Sequence, residues 1–217
     1  MADLLAEFKE VNRGLSEAFY NIKKQYENSS LFLETLLRKS HFDEGRLTLR
    51  TKKCNMKEDV ILPQLERFSE RFAKKGIEVI DAFGKPSDEQ PVAVVDVGLM
   101  AQVYSNLFSN ALKYTREVVT DDGSVKKAVR FGKKRLKDYF GPGKHGTRYD
   151  VFSTGPHIPE QERKHVFEEG YRGSGSVKRP GTGHGLAFVK NAVEIHGGTA
   201  GYEAVTDGNM FYFILPD

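Results

Sequence analysis

Between Leu99 and Tyr114 the chain places Asn106, Asn110 and Lys113 at i, i+4 and i+7. On a helix these three share one face. Two amides and an ammonium so arranged suit a hydrated Mg2+ and phosphate oxygens, because Mg2+ prefers oxygen ligands and keeps several waters. Met100, Tyr104, Leu107, Phe108 and Ala111 supply an apolar face to the same helix. A second group, Gly181-Thr182-Gly183-His184-Gly185-Leu186, opens a helix that runs to His196 and stops at Gly197-Gly198. Glycines there let backbone amides close on an anion, and the helix N-terminus favours negative charge. It is not a Walker A loop, since no Gly-Lys-Ser/Thr follows, and no strand leads directly into it as a Rossmann turn requires. Upstream, Arg172-Gly173-Ser174-Gly175-Ser176 with Lys178 and Arg179 reads as a cationic lid over such a site. A third segment, Ser153-Thr154-Gly155-Pro156-His157-Ile158-Pro159, ends a strand in a tight turn. Taken singly, these are a solvated helix face, a turn, a basic loop and loop punctuation. Their joint occurrence carries the weight.

The elements that must position them follow from apolar spacing. Leu4, Phe8, Val11, Leu15, Phe19 and Ile22 recur every three or four residues, a single stripe on a first helix. Glu27-Asn28-Ser29-Ser30 breaks it, and a second helix carries Leu33, Leu36, Leu37 and Phe42 up to Gly45. Two such helices leave apolar stripes exposed in a monomer. The expectation is a four-helix bundle with a second copy; the alternative is packing on the rest of the chain. Leu47-Thr48-Leu49 reads as a short strand. Asn55 and Glu58 suit a capping box for a helix with Val60, Ile61, Leu65, Phe68 and Phe72 inward, and Pro63 implies a kink or a later start. Strands are expected at Ile77–Ile80 and at Val92–Val95, the latter central because it is all apolar. Others are expected at Ala128–Phe131 and Tyr149–Phe152 around a hairpin tip, with two more closing the chain at Phe211–Leu215. Without strict βαβ alternation this gives an α+β fold: a two-layer α/β sandwich whose mixed sheet carries helices on one face.

Composition narrows the field. A length of 217 residues suits one large domain, or one with an appendage. A net charge of +3 does not make nucleic acid a default partner. The lone Cys54 permits no internal disulfide, which fits a reducing cytoplasm. No run approaches the ~20 apolar residues of a membrane span, and no signal-peptide pattern opens the chain.

Together the chemical segments resemble the ATP-binding domain of sensor histidine kinases, within the GHKL group that includes type II topoisomerases and mismatch-repair ATPases. Asn106 to Thr115 resembles that family's N box, Ser153 to Pro159 its G1 box, Val166 to Gly173 its F box and Gly181 to Leu186 its G2 box, in the same order. The resemblance implies a Bergerat-type sandwich over residues 47–217 behind a dimerisation hairpin over residues 1–46. It implies ATP and Mg2+ as cofactors, and a homodimer that acts on a response regulator or phosphotransfer protein. It further implies that Asn110 ligates Mg2+ with Asn106 in support, and that Lys113 lies near the phosphates. Tyr114 would lie close to the nucleotide and Gly155 at the adenine edge. Gly181, Thr182, Gly183, His184, Gly185 and Leu186 would surround the phosphate tail, and Arg172 would neutralise the γ-phosphate.

Four positions depart from the pattern. Ser153 stands where the family has an Asp that accepts from the adenine amino group; a neutral hydrogen bond in place of a charged one costs roughly 1–2 kcal/mol. His157 replaces a frequent glycine, and Gly170 replaces the second phenylalanine of the F box, which implies a less firmly anchored lid. No histidine precedes His41, which falls near the end of the second helix, where the family's acceptor does not occur. Two functional readings therefore stand: a histidine kinase, or a dimeric pseudokinase module that binds a regulator without phosphorylating it. An ATP hydrolase of the topoisomerase type needs a general base at position 106, which an asparagine cannot be.

Overall fold

The computed structural model describes residues 11–20, 22, 26, 49–84, 92–176 and 182–217. The second hairpin helix with His41, the strand at Leu47-Thr48, and Lys178, Arg179 and Gly181 lie outside them, as do Leu4 and Phe8. Residues 11–20 are helical (α1), and Val11, Leu15 and Phe19 of the expected stripe are 64%, 60% and 71% exposed.

A five-stranded sheet forms the platform, in the order β2-β6-β7-β9-β8. Its members are β2 (Glu78–Ala82), β6 (Ala128–Leu136), β7 (Gly146–Thr154), β8 (Thr199–Val205) and β9 (Gly208–Pro216). β2 runs parallel to β6 and every other pairing is antiparallel, so the sheet is mixed as expected. β1 (Lys52–Asn55) and β3 (Val92–Val95) form a separate antiparallel pair. The expectation that Val92–Val95 is a central strand is thus corrected. Val94 is 64% exposed, and only Val95 is deeply buried. An apolar run of four reports affinity for a sheet, but it does not say how many neighbours the strand acquires. A small antiparallel ladder joins β4 (Val118–Val119) to β5 (Val125–Lys126).

The helices lie on one face of the platform. α2 (Leu62–Lys74) follows a π-helical turn at Met56–Ile61, which gives Pro63 the first-turn place where its missing N–H is harmless. Asn55 Oδ1 accepts from the amides of Lys57 and Glu58, while the return bond to Asn55 N–H comes from Asp59 rather than Glu58. Phe68 and Phe72 of α2 meet Phe108 of α3 (Val97–Tyr114), which packs edge-on against Phe131 of β6. Tyr104 meets Phe213, which stacks on Tyr149 at 5.3 Å. Ala187, Phe188, Val189, Ala192 and Val193 bury the inner side of α5 (Gly185–Glu194). α4 (Glu160–Arg163) is a single turn between β7 and the lid segment. The opposite sheet face mixes charged residues with Phe152, Tyr212 and Ile214. There Arg148 grips Glu203 through two bonds of 2.9 and 2.7 Å and lies over the Tyr212 ring. Alternation along β7 and β9 therefore separates the helix-packed face from this mixed one.

One half-buried histidine ties the start of α3 to the end of α5. The N–H of Asp96, the α3 N-cap, donates to His196 Nε2 at 3.0 Å, and His196 Nδ1–H donates to Ala192 O at 2.6 Å. That pattern requires the neutral imidazole. Burial pushes its pKa below the ordinary 6.5, against the smaller opposing pull of the Ala192 carbonyl. A depressed folded-state pKa leaves this contribution intact above the ordinary histidine range. It is lost as the pH falls, because the unfolded chain takes up a proton that the fold resists. His196→Leu should lower stability near neutral pH by about 1–3 kcal/mol by leaving Asp96 N–H without this acceptor. The variant should also lose less further stability than the parent between about pH 7 and pH 5.5. Thermal melts at the two pH values measure both effects.

Candidate functional site

The site begins at the junction of β7 and α3. Thr154, fully buried at the end of β7, accepts from Ala128 N–H and donates its hydroxyl to Arg116 O at 2.7 Å. Arg116 N–H donates in return to Thr154 O at 2.9 Å. Thr115 closes α3 on itself through Ala111 O, and Lys75, just past α2, caps Leu112 O. Gly155 follows with φ +142, and a Cβ there would lie 3.2 Å from Tyr114 O. Only glycine allows the strand to leave so close to the helix end. The last turns of α3 are thereby brought beside Ser153 and Gly155.

The glycine turn arrives from the other side. A Cβ on Gly185 would lie 3.3 Å from Asn106 Oδ1, so the amide stripe and the start of α5 share one wall. The amides of Gly185, Leu186 and Ala187 precede the first intrahelical donor, Phe188 N–H, which binds His184 O. Helix-start amides of this kind suit an anion. Gly183, at φ +80, sits on the backbone of Gly170, and a Cβ would fall 2.6 Å from the Gly170 carbonyl. Gly170 is itself left-handed at φ +72. That left-handed backbone is what favours glycine at position 170.

These walls enclose a cavity of about 850 Å3, within the range of small-molecule sites. It is lined by Asn106, Asn110, Lys113, Tyr114, Ser153, Arg172, Thr182, Gly183, His184, Gly185 and Leu186, all foreseen from sequence. Gly155 lies at the junction behind it, and Gly181 is outside the described residues. Sequence reasoning missed Arg71, Lys75, Arg116, Glu162 and Asn209, which also line it. Arg71 follows Phe68 by three positions and lies over its ring, a placement that helical phase could have suggested.

The charges are lopsided. Among the described residues five cations, Arg71, Lys75, Lys113, Arg116 and Arg172, line the cavity against one carboxylate, Glu162. Burial holds the Lys113 ammonium below its ordinary pKa, and Arg71 and Arg172 press it the same way. A site so charged favours an anion. Glu162 accepts the N–H and hydroxyl of Ser174, which fixes the start of the lid segment. His157 plays a structural part, since its Nε2 meets Val205 O at 2.9 Å and ties the turn after β7 to the end of β8. Asn209 braces the same turn through Pro156 O and Ile158 N–H. The glycine cradle and the cationic wall fit a nucleotide phosphate tail, and the amide pair fits a hard cation that keeps its waters.

A mixed sheet under three helices, with a glycine turn facing an amide stripe, defines a nucleotide-binding sandwich. The family model of histidine kinase-, DNA gyrase B- and HSP90-like ATPases matches residues 95–217, and the chain belongs to that family. Its relatives place it on the histidine kinase branch. It is 36% identical over 131 residues to hybrid signal transduction histidine kinase D of Dictyostelium discoideum, covering 59% of this chain and 8% of that protein. It is 27% identical to the adaptive-response sensory kinase SasA of Crocosphaera subtropica, covering 73% of this chain and 38% of that protein. The chain therefore spans well under half the length of either relative. In fold it is similar to the nucleotide-free catalytic domain of histidine kinase ThkA, with a TM-score of 0.62 at 22% identity, covering 77% of this chain and 96% of that one. A second structure holds ThkA in complex with the response regulator protein TrrA, with a TM-score of 0.59 at 18% identity, covering 90% of this chain and 49% of that one. Among the described residues no helix is long and apolar enough to cross a membrane.

Gly183→Ala should be among the most damaging small substitutions in the molecule. The left-handed backbone and the contact with Gly170 oppose a methyl group together, at a cost of about 1–3 kcal/mol. A lowered melting temperature with loss of nucleotide binding is the expected result. An unchanged melt with intact binding would refute the packing of Gly183 on Gly170.

Proposed function

We propose that this chain binds ATP-Mg2+ in the cavity and acts as the catalytic region of a two-component histidine kinase. In this reading the γ-phosphoryl group passes to a histidine nitrogen as ADP leaves, and thence to a response regulator. The observation that carries it is the approach of Gly185 to Asn106 Oδ1, which puts the amide stripe and the helix-start amides on one cation-rich cavity. Asn110 would hold the metal with Asn106 in support from the adjoining turn, and Mg2+ when bound would supply charge neutralisation. Lys113, Arg172 and Arg71 meet the remaining phosphate charge. Phosphoryl transfer asks mainly for positioning and charge neutralisation, which these groups provide. Tyr114 and Gly155 border the base, and Thr182 to Leu186 wrap the tail.

The phosphoryl acceptor lies outside the first forty residues, which contain no histidine. The exposed Val11, Leu15 and Phe19 support α1 as a dimerisation helix, since such a stripe is covered when a second copy packs against it. The ThkA–TrrA complex supports a response regulator as the protein partner. The single buried Cys54, unpaired, suits a reducing cytoplasm.

A non-hydrolysable ATP analogue with Mg2+ should raise the melting temperature, by about 2–3 kcal/mol of added stability at a hundredfold excess over Kd. Asn110→Ala should abolish that shift. A shift that persists in the variant removes Asn110 from the metal site, and its absence in the parent protein removes ATP from the cavity.

A further inference from the structure

The sheet-side floor of the cavity is formed by Val151 and Ser153 of β7, with Phe211 of β9 and Ile158 beside them. Residues 151 and 153 share a strand face, so the Ser153 hydroxyl points to the helix-covered side. Ser153 is 7% exposed. The polar side chains around it are already spent. Thr154 bridges Ala128 and Arg116. Asn209, opposite Ser153 in the register, accepts from Tyr202 and Ile158 and donates to Pro156 O. His157 is held by Val205 O, and the Arg116 guanidinium donates to the carbonyls of Lys113 and Thr115. Among the described residues no hydrogen bond engages the Ser153 hydroxyl, and the residue lines the cavity floor.

A flat heterocycle seated on that floor meets a hydroxyl, and a hydroxyl is ambivalent. It accepts from an exocyclic amino group or, after rotating about one bond, donates to a carbonyl oxygen. A carboxylate only accepts, so it favours a 6-amino purine and repels a 6-oxo purine. We propose that Ser153 reads the purine edge without distinguishing the two, so that this cavity takes guanine nucleotides as well as adenine nucleotides. The proposal rests on the nucleotide reading above and adds to it the class of base.

Isothermal titration of the full chain with ATP and with GTP, each with Mg2+, tests it. The expected result is two dissociation constants within about threefold of each other, a difference under 1 kcal/mol. Ser153→Asp should open that ratio to roughly tenfold or more in favour of ATP, by setting a fixed acceptor against the guanine oxygen. Ser153→Ala keeps the test alive should the buried carboxylate disturb folding, which circular dichroism reports. It should weaken ATP and GTP by similar factors. A parent protein that prefers ATP more than tenfold overturns the proposal, as does an Ala variant that loses affinity for ATP alone. ATP binding without GTP binding leaves the nucleotide reading standing and removes only the base assignment. Binding of neither removes both.

Discussion

The molecule turns on the seam between the end of β7 and the end of α3. Thr154 is fully buried there, and its single hydroxyl serves as acceptor for β6 and as donor to the segment leaving α3. The paired backbone bond from Arg116 to Thr154 makes the contact two-stranded in effect. Such a bridge, cut off from water, has no competing partner and holds its geometry closely. Without it, the polar stripe of α3 would have no defined position relative to the cavity floor.

Glycines complete what the seam begins. Gly155 lets the chain pass under Tyr114 O, Gly183 rests on Gly170, and Gly185 admits the Asn106 amide. Each removes one carbon at a point where backbone meets backbone or the Asn106 side chain. The result is a cavity in which main-chain amides at the start of α5 stand beside the side chains of α3. Cations from three separate segments then converge on it: Arg71 and Lys75 around the end of α2, Lys113 and Arg116 around the end of α3, and Arg172 before the lid. Burial first, and then Arg71 and Arg172, hold the Lys113 ammonium below its ordinary pKa.

The departures at Gly170 and His157 have local explanations. Gly170 holds a left-handed backbone at φ +72 that favours glycine, and His157 fastens the turn after β7 to β8. Ser153 differs from them, because it lines the cavity floor and no hydrogen bond among the described residues engages its hydroxyl.

Much was legible in one dimension. The period of α3 separated Met100, Tyr104, Leu107, Phe108 and Ala111, which face the core, from Asn106, Asn110 and Lys113, which line the cavity, because a helix's phase depends only on its own residues. The glycine turn and the strand end before Gly155 announced themselves by composition. Other features required the fold. Val92–Val95 carries the composition of a central strand yet pairs only with β1, because strand placement depends on which partners are in reach. Arg71 joins Lys113 across forty-two positions, and His196 binds Asp96 across a hundred. Local sequence states what a segment prefers to be; which segments meet is decided when every apolar face competes for the same core.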